Sequence, residues 1–184
     1  EAPGFEADDI LATVVRRLQE QTSLDVVLVT GDKDALQLVG SKVRVLSVVG
    51  RTGERVVYDA AKVEARWGVP PARIPDVLAL MGDSIDNIPG AKGIGDKGAV
   101  ELIRRFGTVE AALDRAAEVE GKRYREALLN SREQVLLSKQ LATIGCDAPV
   151  ELDLDALARR EPDGPALRDL YTELGFTSLL RDLP

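Results

Sequence analysis

The chain has 184 residues, of which 45% are hydrophobic; this suffices for one domain, or a domain with a subdomain, and excludes a disordered tail as a description of the whole. It has no histidine and a single cysteine, Cys146, which excludes Ser-His-Asp and Cys-His triads, an intrachain disulfide, and zinc or iron sites built on those side chains. The net charge of −7 taken alone argues against a nucleic-acid partner, and 4% aromatic residues argue against a base-stacking platform.

Glu1 to Gly4 is an extended lead-in, and Glu6 to about Gln21 is predicted to be a helix with Ile10, Leu11, Val14, Val15 and Leu18 on one face. Asp25 to Thr30 is a short, continuous apolar run that reads as a strand buried on both faces, with Gly31-Asp32-Lys33-Asp34 at its carboxyl end, where ligands bind in open α/β sheets. A short helix over Lys33–Val39 follows. Val43–Val49 and Glu54–Tyr58 read as a hairpin around Gly50-Arg51-Thr52-Gly53. Asp59 is placed to cap a helix over Ala60–Trp67, stopped by Gly68 and Pro70-Pro71, and Ile74–Met81 is the next helix, ending at Gly82.

After Gly95 every expected element is helical. The ranges are Asp96–Phe106, Val109 to about Val119 capped by Thr108, and a helix from about Lys122 that restarts through a capping box of Ser131 and Gln134. Leu136, Leu137 and Leu141 are expected to face inward. Ala148–Leu154 reads as extended, and Pro165–Leu174 and Thr177–Leu183 as closing helices. The expected organisation is an α/β core with a partly parallel sheet over 1–82, a helical subdomain over 83–150 and closing helices over 151–184.

Chemistry concentrates in Met81–Lys97, where Asp83 and Asp86 are hard oxygen ligands suited to Mg²⁺ or Mn²⁺. Directly behind them a Pro-Gly-x-x-Gly-x-Gly turn opens an amphipathic helix, an arrangement that presents backbone N–H groups to phosphate. Two further acidic groups sit at element ends, Glu6/Asp8/Asp9 and Asp32/Asp34. Each has a bland reading: acids in a first turn complement the helix dipole, and Asp32 caps a turn. If the three groups converge, their repulsion requires cations. Two divalent ions about 3.5–4 Å apart would neutralise them and clamp the oxygens of a phosphodiester. Between Gly90 and Phe106 four basic residues, Lys92, Lys97, Arg104 and Arg105, face two acidic ones, Asp96 and Glu101, so a phosphate grip there would rest mainly on backbone N–H groups and read the backbone rather than the bases.

The segments F-E-A-D-D-I-L-A-T, V-T-G-D-K-D-A-L-Q-L and M-G-D-S-I-D-N-I-P-G-A-K-G-I-G-D-K-G-A, with the later L-A-T-I-G-C-D and E-L-G-F-T-S-L-L in the same order, resemble the 5′-nuclease (5′–3′ exonuclease) domain of bacterial DNA polymerase I, in the flap-endonuclease superfamily. The resemblance implies a PIN/5′-nuclease-like core followed by a helix-hairpin-helix. It implies a first metal site lined by Glu6, Asp8, Asp9 and Asp32 and a second served by Asp34, Asp83 and Asp86, each holding Mg²⁺ or Mn²⁺. Gly90, Lys92, Gly93, Gly95 and Lys97 would grip the duplex part of a flap, nicked or 5′-end DNA, with a K⁺ at the turn. The implied reaction is phosphodiester hydrolysis in primer removal and repair, in a bacterial, nucleoid-associated cytoplasmic setting without a membrane partner.

The family's domain begins before Glu1, with a first strand carrying an aspartate ligand, a second aspartate and an arch with Lys and Arg, and it is followed by a polymerase module. The chain, which starts without Met, therefore reads as a fragment with an incomplete active site, weak or inactive alone. The alternative is a non-catalytic, structure-specific duplex DNA-binding module. A haloacid-dehalogenase-type phosphatase fits poorly, since Gly31 precedes the Asp pair and Leu36 stands where Thr or Val is usual. A PIN-type ribonuclease shares the carboxylate logic, and P-loop chemistry is excluded because no Gly-Lys-Ser/Thr follows the glycines.

Overall fold

The computed structural model describes residues 2–21, 23–49 and 53–183, so Gly50–Thr52 of the expected hairpin turn lie outside the described residues. The chain divides into two units, one reaching Val150 and one from Glu151 onward.

In the first unit, α1 (Ala7–Gln21) leads to β1 (Val26–Val29), a 3-10 turn over Asp34–Leu38, and the hairpin of β2 (Val43–Val49) and β3 (Glu54–Tyr58). The sheet order is β1-β2-β3. β1 runs parallel to β2 with Val26 opposite Val43, and β2 runs antiparallel to β3 with Val45 opposite Tyr58. The expected burial of β1 on both faces does not hold: Leu28 is buried, but Val27 is 51% and Val29 72% exposed. Among the described residues β1 is an edge strand paired only with β2, and its second face has no covering layer.

Capping chemistry sets the helix ends that follow. Asp59 accepts a hydrogen bond from the Lys62 N–H at the start of α2 (Ala60–Trp67), and Gly68 closes it in the left-handed region at φ 74°. The helix α3 (Ile74–Met81) is the centre of the unit, because Ile74 through Leu80 are all buried. Both α4 (Asp96–Phe106) and α7 (Arg132–Ala142) pack on it. The fully buried Asp76 ties this cluster together. Its carboxylate accepts from the Val109 N–H at 3.0 Å, meets the Lys139 ammonium, and lies 3.5 Å from the Arg73 guanidinium.

Three helical expectations change. The helix from Val109 stops as α5 (Val109–Asp114), and a 3-10 turn over Ala116–Glu118 replaces its second half. The break falls at Arg115 (φ −107°, ψ 24°), whose guanidinium pairs with Glu118 at 2.6 Å and lies 5.1 Å from the Phe106 ring centre. Ser131 and Gln134 form no capping box between α6 (Lys122–Asn130) and α7: the Ser131 side chain caps nothing, and the Gln134 amide donates to the Gly90 carbonyl at 2.6 Å. Leu136, Leu137 and Leu141 are exposed, whereas Val135, Ser138 and Ala142 turn inward. Small and β-branched residues on that face let α7 approach α3 closely.

The stretch 147–150 forms no strand. It runs beside α1, with the Ala148 N–H donating to Thr13 Oγ at 3.0 Å and Arg17 donating to the Val150 carbonyl. The second unit contains α8 (Gly164–Glu173), capped by Asp163, and α9 (Thr177–Arg181), joined through Gly175 at φ 70° with Tyr171 and Phe176 rings 6.2 Å apart.

The loop from Gly82 to Gly95 passes close under its own start. A Cβ on Gly90, which sits at φ 62°, would fall 2.4 Å from the Gly82 nitrogen. Gly90→Ala is therefore expected to cost about 2 kcal/mol or more in urea unfolding, through strain and lost packing. Gly95→Ala meets open space and is expected to cost less than about 1 kcal/mol, as the loss of a glycine N-cap.

Candidate functional site

Three separate parts of the first unit deliver acids to one place. Glu6 precedes α1, and Asp8 and Asp9 lie in its first turn; Asp32 and Asp34 follow β1; Asp83 and Asp86 lie in the loop after α3. A cavity of about 240 Å³ is lined by Glu6, Asp8, Asp9, Asp32, Asp34 and Asp86, with Leu141 to Ile144 at the end of α7 as its apolar wall. Asp83 lies behind this cavity: oxygens of Asp34, Asp83 and Asp86 fall within 4.8 Å of one another.

Local backbone chemistry orients each acid. The Asp34 N–H donates to Asp32 Oδ1 at 2.9 Å, and the Ile85 N–H donates to Asp83 Oδ1 at 2.9 Å. Asp9 is occupied on both oxygens, accepting from the Glu6 N–H at 3.1 Å and the Gly145 N–H at 2.8 Å. It fastens the start of α1 to the chain leaving α7. Asp34 Oδ1 is different: it is buried without a hydrogen-bond partner, and Lys33 Nζ lies 3.8 Å away. Burying such an oxygen costs free energy unless a cation or donor meets it.

The electrostatics follow the same geometry. Burial pushes the Asp34 carboxyl up to about 6; Lys33 opposes this, and Asp32, Asp86 and Asp83 add to it. Asp8 is also raised, by burial first and then by Asp32, Glu6, Asp9 and Asp86. Burial would raise Asp83 as well, but the Lys33 ammonium and the N–H groups of Ile85 and Asp86 outweigh it and hold this carboxyl below the usual range. The donor set is all carboxylate oxygen, the chemistry of Mg²⁺ and Mn²⁺ sites, and the partnerless Asp34 oxygen fits a cation there.

Sequence reasoning missed Lys33, whose ammonium contacts Asp83 and lies 3.8 Å from Asp86. Its position between two aspartates in Asp32-Lys33-Asp34 was the available signal. The apolar wall at Leu141–Ile144 was missed too, because Leu141 was assigned to the interior.

The glycine turn splits into parts with different surroundings. Gly90 is buried, its N–H donating to Ser138 Oγ at 3.1 Å and its carbonyl accepting from Gln134, which leaves no free N–H there for a phosphate. Lys92 and Gly93 line an open groove with Lys122, Arg123 and Asn130 of α6. Gly95 is exposed at the N-terminus of α4, and Lys97 faces a second groove with Arg66, Trp67 and Val100. Lys92 and Lys97 thus open into different grooves on either side of the turn.

Comparison with known proteins matches residues 1–68 to "5′-3′ exonuclease, N-terminal resolvase-like domain" and residues 69–165 to "5′-3′ exonuclease, C-terminal SAM fold". The chain belongs to the 5′–3′ exonuclease family. DNA polymerase I of Bacillus caldotenax is 42% identical over 183 residues, which cover 100% of this chain and 21% of that protein. The 5′-exonuclease of bacteriophage T5, solved with bound zinc, superposes with a TM-score of 0.66 at 30% identity, over 76% of this chain and 50% of that one. The T5 flap endonuclease in a pseudo-enzyme–product complex with DNA and metal ions matches equally well, at a TM-score of 0.66 and 30% identity. This exonuclease-family chain thus spans about a fifth of the polymerase length and half of the T5 enzyme it matches. No helix among the described residues is long and apolar enough to cross a membrane.

With the carboxyl of Asp34 raised in the fold, its stabilising effect is full below about pH 4 and lost as pH rises through about 6. In metal-free buffer Asp34→Asn is expected to raise Tm at about pH 7.5, with the gain shrinking towards pH 4. Melts followed by circular dichroism check this; a gain independent of pH would contradict it.

Proposed function

We propose that this chain carries the metal-binding and duplex-gripping parts of a divalent-metal-dependent 5′-nuclease that hydrolyses DNA phosphodiesters at nicks, flaps and 5′ ends during primer removal and repair. The observation that carries the reading is the meeting of acids from three parts of the chain around one cavity, with a buried oxygen on Asp34 that has no hydrogen-bond partner. Asp34, Asp83 and Asp86 would hold one Mg²⁺ or Mn²⁺, and Glu6, Asp8 and Asp32 would serve the other with Asp9 as their anchor. Bound divalent ions supply Lewis-acid stabilisation of an in-line displacement at phosphorus. The chain's own residues orient the ligands through backbone N–H bonds, and Leu141 to Ile144 line one side of the cavity.

The glycine turn would track phosphates through Gly93, Gly95, Lys92 and Lys97, with Gly90 as its support and a K⁺ held by turn carbonyls. The division into a nuclease core over 1–82, a helix-hairpin-helix subdomain over 83–150 and closing helices over 151–184 belongs to the same reading. So do a polymerase module on the same polypeptide, as in the Bacillus caldotenax relative, and a cytoplasmic, nucleoid-associated setting. Since the matched region covers half of the T5 enzyme, we expect weak or no cleavage by this chain alone.

A second reading, a non-catalytic duplex-binding module, is favoured by one feature: the Lys33 ammonium already neutralises part of the acid group. Mn²⁺ titration followed by electron paramagnetic resonance separates the two. The nuclease reading predicts saturable binding that Asp83→Ala or Asp32→Ala weakens at least about tenfold; indifference to both supports the pure binder. Affinity for nicked duplex is expected to fall steeply with salt, and Lys97→Ala to weaken binding alike on all sequences, measured by fluorescence anisotropy. A loss confined to particular sequences would contradict backbone reading.

A further inference from the structure

The residue that the metal reading leaves unused is Lys33, and it sits where that reading places an ion. Its Nζ contacts Asp83 Oδ2 and lies 3.8 Å from both Asp34 Oδ1 and Asp86 Oδ2. These are the three residues whose oxygens fall within 4.8 Å of one another. The Asp83 side chain is 5% exposed and the Lys33 side chain 30%, so the ammonium reaches in from the solvent side along a partly covered stem.

We propose that Lys33 is an internal counter-ion that occupies the Asp34–Asp83–Asp86 site in the metal-free protein and is expelled when a divalent cation enters. The inference rests on the metal reading given above. Three carboxylates this close repel strongly without a cation, and a partly buried group is screened little by salt. An ammonium on a four-carbon stem supplies one compact positive charge and withdraws by bond rotation alone. It cannot share Asp83 Oδ2 with a divalent ion, since two like charges would then stand at contact distance. Lys33 therefore does two opposed things. It keeps the three acids gathered before the metal arrives, and it raises the metal concentration needed to fill the site.

The test uses the full chain with Lys33→Met, which keeps the stem and removes the charge, and Lys33→Gln as a second neutral variant. Calorimetric titration with Mn²⁺ is expected to show binding roughly tenfold tighter than wild type in either variant. In EDTA both variants are expected to melt several degrees lower than wild type, and saturating Mn²⁺ to restore them. Lys33→Arg, which retains the charge, is expected to gain no affinity. Unchanged or weaker Mn²⁺ binding in both neutral variants would overturn the role of Lys33 while leaving the metal site intact. Absence of Mn²⁺ binding in wild type itself would overturn the metal site, and this inference with it.

Discussion

Mutual repulsion among carboxylates is the constraint around which this fold is arranged. Like charges about 4 Å apart repel by roughly 4 kcal/mol at an effective dielectric near 20, and the first unit gathers acids from α1, the end of β1 and the loop after α3 into a shared region. The backbone holds each group by separate means. Asp32 accepts from the Asp34 N–H, Asp83 from the Ile85 N–H, and Asp9 from both Glu6 and Gly145. Burial first, and the neighbouring acids after it, raise the carboxyls of Asp34 and Asp8, and the Lys33 ammonium offsets part of the repulsion at Asp83.

The acid loop and the glycine turn form one mechanical piece. Asp83 and Ile88 exchange backbone hydrogen bonds at 2.8 and 2.7 Å, closing a small loop around Asp86. Gly90 then presses on Gly82, while α7 holds the Gly90 peptide from both sides through Ser138 and Gln134. α7 is in turn locked to α3 and to the start of α5 by Lys139, Asp76 and Val109. The buried Asp76 carboxylate is met by Lys139, Arg73 and the Val109 N–H together, so α3, α7 and α5 are tied behind the loop. The glycine turn is thereby held at a set distance from the acids.

Much of this was readable in the chain. Asp59, Gly68, Thr108 and Gly107 mark helix ends by local capping chemistry, which depends on a few neighbouring residues, and the expected boundaries of α2, α3 and α4 agree with the structure. What depended on tertiary surroundings was not readable. The apolar run of β1 carries no sign that Val27 and Val29 lack a covering layer. On α7 the leucines gave the stronger apolar pattern, yet Val135, Ser138 and Ala142 pack inward because α3 demands a close approach. Gln134 fitted a capping box locally, but a carbonyl 44 residues away claimed its amide. Lys33 carries no role in the sequence reading, since a sequence does not say which way a long side chain turns.

Divalent-ion binding among these acids is the claim on which everything else depends. Its most direct test is anomalous diffraction at the manganese edge from crystals soaked in Mn²⁺. A peak bounded by Asp34, Asp83 and Asp86 is expected, with a second near Asp8 and Asp32. Density for manganese only at surface carboxylates outside this cavity, or none at all at saturating Mn²⁺, would contradict it.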